Sequence, residues 1–256
     1  MRKLLIIAAG IITLSSCSIL QRISWDPVQL SQAAVTALQA TTITDAQVIA
    51  LSQQAVAEMD AQNTIAPESY QKRLADLMAG IGDIEGLKIN YKVYKTPEIN
   101  AFACGDGSIR VYSGLMDVMD DDELMAIIGH ECGHVVHQDT KHSMRNAYLA
   151  AAARGVLSAS GGTVATLSRS VLGDLGEAFV GSQYSQKQEF AADEYGYKFS
   201  VEHGHSPYSM CNALEKLVDL SGSAKSSMVQ KMFASHPDSA ERAKRMREKA
   251  DRSKEK

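Results

Sequence analysis

The chain is 256 residues long, 45% hydrophobic and 22% charged, with a formal net charge of −4. This is ordinary globular composition, enough for one domain with a sizeable core. The mild negative charge argues against a dedicated nucleic-acid surface, and no nucleic-acid partner is expected.

The N-terminus reads as a targeting segment rather than part of the fold. Arg2 and Lys3 precede an apolar run, Leu4 to Leu14, that is too short to be read first as a spanning helix. Leu14-Ser15-Ser16-Cys17 follows. It resembles a bacterial lipobox, in which a signal peptidase cuts before the cysteine and that cysteine carries the lipid. The expectation is a signal peptide over residues 1–16, a lipidated (palmitoylated) Cys17 and a tether over residues 17–30. Ser16 is less usual before the cysteine than Gly or Ala; an ordinary secretory signal and an uncleaved anchor are the alternatives. Ser18 is not the Asp that retains such lipoproteins in the inner membrane. The expected location is therefore the outer membrane, lipid-anchored, on its periplasmic face. In that oxidising compartment Cys104, Cys132 and Cys211 allow at most one disulfide, and the sequence does not decide which.

Residues 31–256 are expected to form one domain. Small and apolar residues over Ser31–Ala40 suggest a modest helix. Thr44-Asp45 reads as the cap of a helix reaching about Asn63, with Val48, Leu51, Ala55 and Met59 on one face. Pro67 starts another, with Tyr70, Leu74, Leu77, Met78 and Ile81 as its stripe and Gly80 and Gly82 near its end. The period then changes. Residues 88–94 alternate like a strand, a turn at Thr96-Pro97 leads to residues 99–103, and Gly105-Asp106-Gly107 turns the chain into a strand over 108–112. A small sheet thus precedes the next helix. An edge strand there can pair with an extended peptide, and the candidates are Phe102 and the backbone of Asn100, Ala101, Phe102 and Ala103. An ordinary hairpin is the plainer alternative.

That next helix carries H-E-x-x-H as His130, Glu131 and His134. Positions four apart share a helix face, so the two imidazoles can hold one metal ion with Glu131 close by. Two neutral imidazoles and a carboxylate beside a metal-activated water suit zinc-assisted hydrolysis. Asp120 to Glu123 make an acidic start, favourable at a helix N-terminus, and Leu124, Ile128, Cys132 and Val135 form an apolar stripe opposite. Cys132 is therefore read as buried backing and not as a ligand. Gly129 and Gly133 weaken a helix unless another element packs closely against them.

Residues 142–182 are rich in small residues and read as two amphipathic helices broken near Gly161-Gly162. Packing onto the domain is the plain expectation; covering the cleft, a membrane surface or an oligomer contact are the others. Beyond them, Glu189 and Asp193 stand four apart on a helix ending near Gly204. A third metal ligand has to come from elsewhere in the chain, and Glu189 completes a two-histidine, one-glutamate set with one open position. Asp193, one turn on, is placed to accept a hydrogen bond from a ligating histidine. A solvated acidic face is the commoner fate of such a pair taken alone.

Five motifs in order carry a resemblance: Asn100-Ala101-Phe102-Ala103, Arg110 to Asp117, His130 to His134, Glu189 to Asp193, and Ser235-His236-Pro237 with Arg242. With them the chain resembles the gluzincin metallopeptidases of the HtpX/BepA/LoiP group, relatives of the CAAX prenyl proteases, and Cys17 extends the likeness to LoiP-type lipoproteins. Gln186 departs from it, since many relatives carry Arg there, with Lys187 the available substitute. The resemblance implies an α+β, mostly helical, zincin-like (minigluzincin) domain with a small sheet beside the active-site helix. It also implies one Zn²⁺ per chain on His130, His134 and Glu189, with Glu131 as general base and then acid. Polypeptide substrates are implied, of the unfolded or misassembled envelope class, with the outer-membrane assembly machinery as a further partner. It places His236 near the metal, where two catalytic roles are open: donating to the oxyanion, or filling the fourth zinc position at rest. A loop histidine ordering the start of a helix at Pro237 is the alternative. Residues 242–256 read as a solvated, charged helix. Two rival functions are a periplasmic chaperone or assembly factor with a structural or vestigial metal site, and a zinc amidase acting on cell-wall peptides.

Overall fold

The computed structural model describes residues 44–84, 86–153, 167–223, 226–237 and 239–254. The signal peptide, Cys17, the tether, the Ser31–Ala40 helix and the break near Gly161-Gly162 lie outside the described residues.

Helix α1 (Asp45–Gln62) starts where the sequence predicts. The Thr44 side chain accepts from the Gln47 N–H and the Gln47 side chain accepts from the Thr44 N–H, closing a capping box. Val48, Leu51, Ala55 and Met59 are all buried. Helix α2 (Glu68–Leu77) follows Pro67, buries Leu74 and leaves through Gly80 at φ +84°. The strand expected over 88–94 is divided. Strands β1 (Asp83–Ile84) and β2 (Leu87–Lys88) pair as a separate antiparallel ribbon, and only β3 (Asn90–Tyr94) joins the main sheet. The division falls at Ile89, whose N–H still bonds Gly82 while that of Asn90 bonds Gly107.

Strands β4 (Ala101–Ala103) and β5 (Ser108–Tyr112) form an antiparallel hairpin, and β5 is the centre of the sheet, parallel to β3. Gly107, at φ +86°, makes the turn, and a Cβ there would also strike the Lys88 carbonyl. The two faces of the sheet carry separate cores. Ala101, Ala103, Ile109 and Val111 face one core, with Leu124, Ile128, Cys132 and Val135 of the H-E-x-x-H helix, α4 (Asp121–Val136). Tyr94, Phe102 and Tyr112 face the other, with α1, α5 (Asp139–Ala153) and α6 (Arg169–Val180). Across that second face Asp60 of α1 ties both strands together. It takes Arg110 Nε and Nη2 at 2.8 and 3.0 Å, the Tyr94 hydroxyl at 2.6 Å and Lys92 Nζ at 2.6 Å.

The remaining elements are α3 (Ser113–Val118), α7 (Gln186–Glu202), α8 (Ser209–Ser221), α9 (Ser226–Ser235) and α10 (Ser239–Lys254). The α+β, mostly helical fold is as expected. Helix α10 begins at Ser239 rather than at Pro237. Its reading as a solvated helix needs a correction at Arg242, which is 2% exposed and turned into the domain. The described cysteines Cys104, Cys132 and Cys211 are all free and buried.

Candidate active site

Helix α4 is anchored at its start by Asp120, whose carboxylate accepts from the Glu123 N–H at 2.9 Å while Glu123 accepts from the Asp120 N–H at 2.9 Å. The apolar stripe, Cys132 included, pins one side of α4 to the sheet, so His130, Glu131 and His134 are presented to the other. There α7 crosses at close range. A Cβ on Gly133 would lie 3.0 Å from Ala192 Cα, and one on Gly196 would lie 2.7 Å from the His130 backbone nitrogen. The two helices can approach this closely because neither carries a side chain at these points. That approach brings Glu189 and Asp193 to the histidines.

The result is a convergent donor set. His130 Nε2 and His134 Nε2 face each other at 3.2 Å, and His134 Nε2 is 3.4 Å from Glu189 Oε1. His236, just past α9, adds Nδ1 at 3.1 Å from Glu189 Oε1 and 3.2 Å from His130 Nε2. One ligand atom from each of these four residues lies within 4.8 Å of every other, and all four residues are buried. Glu131 stands beside them with Oε1 buried and without a hydrogen-bond partner, at ion-pair distance, 3.6 Å, from His236 Nε2.

The outer contacts set the tautomers. His130 Nδ1 is 2.9 Å from Asp193 Oδ1, and His134 Nδ1 is 3.0 Å from Asp139 Oδ2. A carboxylate accepts, so each Nδ1 carries a hydrogen and Nε2 is the ring atom left to face the centre. Among the described residues, the buried carboxylates of Glu189 and Asp193 share one guanidinium, that of Arg242. Two imidazole Nε2 atoms, a third imidazole and a carboxylate converging in a buried site are donor chemistry that fits a metal cofactor.

Arg242 bonds Asp193 through Nε at 2.8 Å and Nη2 at 2.6 Å, and its Nη1 pairs with Glu189. Burial pushes the Asp193 carboxyl up, but Arg242 and His130 outweigh it and hold it at about 2. Glu189 is likewise held far below the carboxylate range, against burial, by His236, His134 and His130. Burial pulls His134 down, but Asp139 and Glu189 push it up to about 9. Burial dominates at His130, lowering it, with Arg242 and His134 adding to that.

Sequence reasoning placed His130, His134, Glu131, Glu189, Asp193 and His236, and the fold brings all six together. It missed Asp139 and Tyr184. Asp139 follows His134 by five residues and reaches it only because Gln138, at φ 63°, reverses the chain after α4. Tyr184 stacks on His134 at 3.8 Å and 14°, its N–H bonded to the Ser235 carbonyl at 3.1 Å. The Asn100–Ala103 segment is an edge of the sheet, as expected, but Phe102 does not face outward. Its ring lies in the second core against Tyr112 and Phe179. Asn100 and Cys104 bond across to β5, so by alternation the peptide groups of Ala101 and Ala103 point to the unpaired edge of the sheet, although both residues are buried. The Ala101 N–H there is taken by Asn100 Oδ1 at 3.0 Å.

Comparison with known proteins bears on the same residues. A profile of Peptidase family M48 matches residues 67–250, which span the donor set. Metalloprotease LoiP of Escherichia coli (strain K12) is 43% identical over 97% of this chain and 96% of its own length. Metalloprotease YcaL of the same strain is 38% identical over the same shares. A more distant relative, a Protease HtpX homolog of Streptococcus pneumoniae (strain Taiwan19F-14), is 29% identical over 78% of this chain. The chain therefore belongs to peptidase family M48 and is a metallopeptidase, with polypeptides as its substrates.

Proposed function

We propose that the chain is a zinc endopeptidase of the bacterial cell envelope. In this reading Cys17 tethers it to the periplasmic face of the outer membrane, and it cleaves unfolded or misassembled envelope proteins alongside the outer-membrane assembly machinery. The observation that carries the chemistry is the buried cluster of His130, His134, Glu189 and His236, with a Glu131 oxygen without a hydrogen-bond partner beside it. Imidazole nitrogens with a carboxylate are zinc's usual donors. The location rests on the lipobox, and near full-length likeness to two metalloproteases supports the activity.

His130, His134 and Glu189 would hold the ion. When bound, Zn²⁺ supplies Lewis acidity toward a carbonyl oxygen and an acidified water. Glu131 is the base: its free Oε1 takes the proton of the attacking water and later returns it to the leaving amine. Asp193 and Asp139 keep both Nδ1 hydrogens in place, so each histidine offers its Nε2. His236 sits within the donor set, which supports its filling the fourth position at rest. Tyr184 stacks on His134 beside His236, and His236 would be the donor to give up its place if the ion is to hold a water. The substrate strand is read along the unpaired edge of β4, through the peptide groups of Ala101 and Ala103, which are buried here and have to be uncovered for it.

Four buried protein donors also match a closed structural site, the arrangement a chaperone or assembly factor would keep. Casein cleavage with and without chelator, beside Glu131→Gln, separates the two. The expected result is loss of cleavage by about 10²–10⁴-fold with zinc retained. A Glu131→Gln protein that keeps zinc and cleaves like wild type would show that the proposed chemistry is wrong.

A further inference from the structure

Gln188 precedes Glu189 and makes two sets of contacts with one amide. Its Oε1 accepts from the Ser185 N–H at 2.9 Å and from the Ser185 hydroxyl at 2.7 Å, closing the capping box that starts α7. Its Nε2 donates to Asp139 Oδ1 at 2.7 Å. The other oxygen of Asp139, Oδ2, takes His134 Nδ1 at 3.0 Å. A continuous chain of bonds therefore runs from the cap of α7 to an imidazole on α4. The amide cannot turn over without setting its oxygen against the Asp139 carboxylate and losing both bonds from Ser185.

Each link constrains the next. Asp139 is 5% exposed and His134 fully buried, so water does not compete strongly for either. Asp139 divides its oxygens between two partners and is held from both sides. A carboxylate fixed in that way sets both the tautomer and the ring angle of the histidine it binds. Gln188 is also adjacent in sequence to Glu189, whose carboxylate lies 3.4 Å from His134 Nε2. The same amide thus bears on both ligand-supplying helices.

We infer that Gln188 is a positioning residue for the metal centre: it holds Asp139 against His134 and so keeps α4 and α7 in register for the ion. The inference rests on the reading of His134 and Glu189 as ligands. It predicts that chemistry at position 188, which supplies no donor atom itself, controls metal affinity through hydrogen-bond polarity rather than through size.

Zn²⁺ binding by the full chain, measured by competition with a chelating fluorophore, tests this. Gln188→Glu keeps acceptor oxygens for Ser185, and so the capping box, but replaces the donor to Asp139 with a second carboxylate. Zn²⁺ affinity is expected to fall by about 10–100-fold, with the metal-free helical content unchanged by circular dichroism. Adding Asp139→Asn restores complementarity. The new amide donates to the carboxylate at 188 and still offers His134 an oxygen, so most of the lost affinity is expected to return. Wild-type affinity in Gln188→Glu, or no recovery in the double variant, would overturn the inference. Should Gln188→Glu not fold, Gln188→Ala carries the test, since it removes the donor without adding charge; wild-type affinity there has the same meaning. His134→Ala distinguishes the two levels. If it binds Zn²⁺ like wild type, the ligand reading itself fails; if it loses Zn²⁺ while position 188 is silent, only the role of Gln188 fails.

Discussion

Arg242 and Asp193 meet in a two-point contact sealed from solvent, Nε to Oδ2 at 2.8 Å and Nη2 to Oδ1 at 2.6 Å. The same guanidinium pairs with Glu189, so a residue of the last helix neutralises the two buried carboxylates of α7. Arg242→Ala leaves two buried carboxylates without their cation. Removing one partner of a buried pair costs about 3–5 kcal/mol, and a fall of that size in unfolding free energy by denaturant titration is expected. Arg242→Lys keeps the charge but not the fork, and is expected to fall between Ala and wild type. A lysine variant as stable as wild type would show that charge alone suffices.

The crossing of α4 and α7 makes its own prediction. A Cβ on Gly196 would lie 2.7 Å from the His130 nitrogen and 2.8 Å from the Ala126 carbonyl, both backbone atoms that cannot swing aside. Gly196→Ala should therefore drive the helices apart, with a loss of roughly 1–3 kcal/mol. Glu189 would withdraw from the histidines, so zinc content measured after dialysis should drop as well. Gly204→Ala, at φ +86° but with no neighbour within reach, is the control: strained in backbone, silent in metal binding.

Acid stability should depend on Asp60. Burial pushes its carboxyl up, but bonds from Arg110, Lys92 and Tyr94 bring it down to about 2, against an ordinary 3.8. The folded protein thus holds the ionised form more tightly than the unfolded chain does. The resulting stabilisation is complete above about pH 4 and is lost as pH falls toward 2. Allowing for solvent screening, it is worth roughly 1–2 kcal/mol. Asp60→Asn should be less stable than wild type at neutral pH and close to it near pH 2, as read from denaturant midpoints across that range. A gap between the two that stays constant with pH would contradict the assignment.

Cys17 carries the expectation of location. Cys17→Ala should move the protein from the membrane pellet to the soluble fraction, or leave it with an uncleaved signal peptide of higher mass. Metabolic labelling with palmitate should be lost in the same variant. Retained label would place the lipid elsewhere.

Much of the site was legible because its information is local. His130 and His134 share a face by helical period alone, and Glu189 and Asp193 do the same on α7. Cys132 was assigned to the buried side by the same arithmetic, and it lies in the core with Leu124 and Ile128. Gly129 and Gly133 predicted a close neighbour, which is α7. Arg242 was misread for an equally local reason. Its charged neighbours on α10 describe a solvated surface, and only the packing of that helix turns this one side chain inward. Phe102 was named as a substrate contact from its place on an edge strand, and only the packing of Tyr112 and Phe179 around it shows that its ring belongs to the second core.

The sequence by itself determined the helix that offers two imidazoles and a base, the second helix that offers two carboxylates, and the caps that begin both. These follow from residue spacing and from hydrogen bonds closed within four residues. Tertiary structure alone decided how His236, Asp139, Gln188 and Arg242 join them. Those contacts span from five residues, His134 to Asp139, up to 112 residues, His130 to Arg242. No periodicity encodes such pairs. They exist because bare glycine surfaces let α4 and α7 touch, and because a buried cluster of carboxylates is stable only where the fold delivers a cation to meet it.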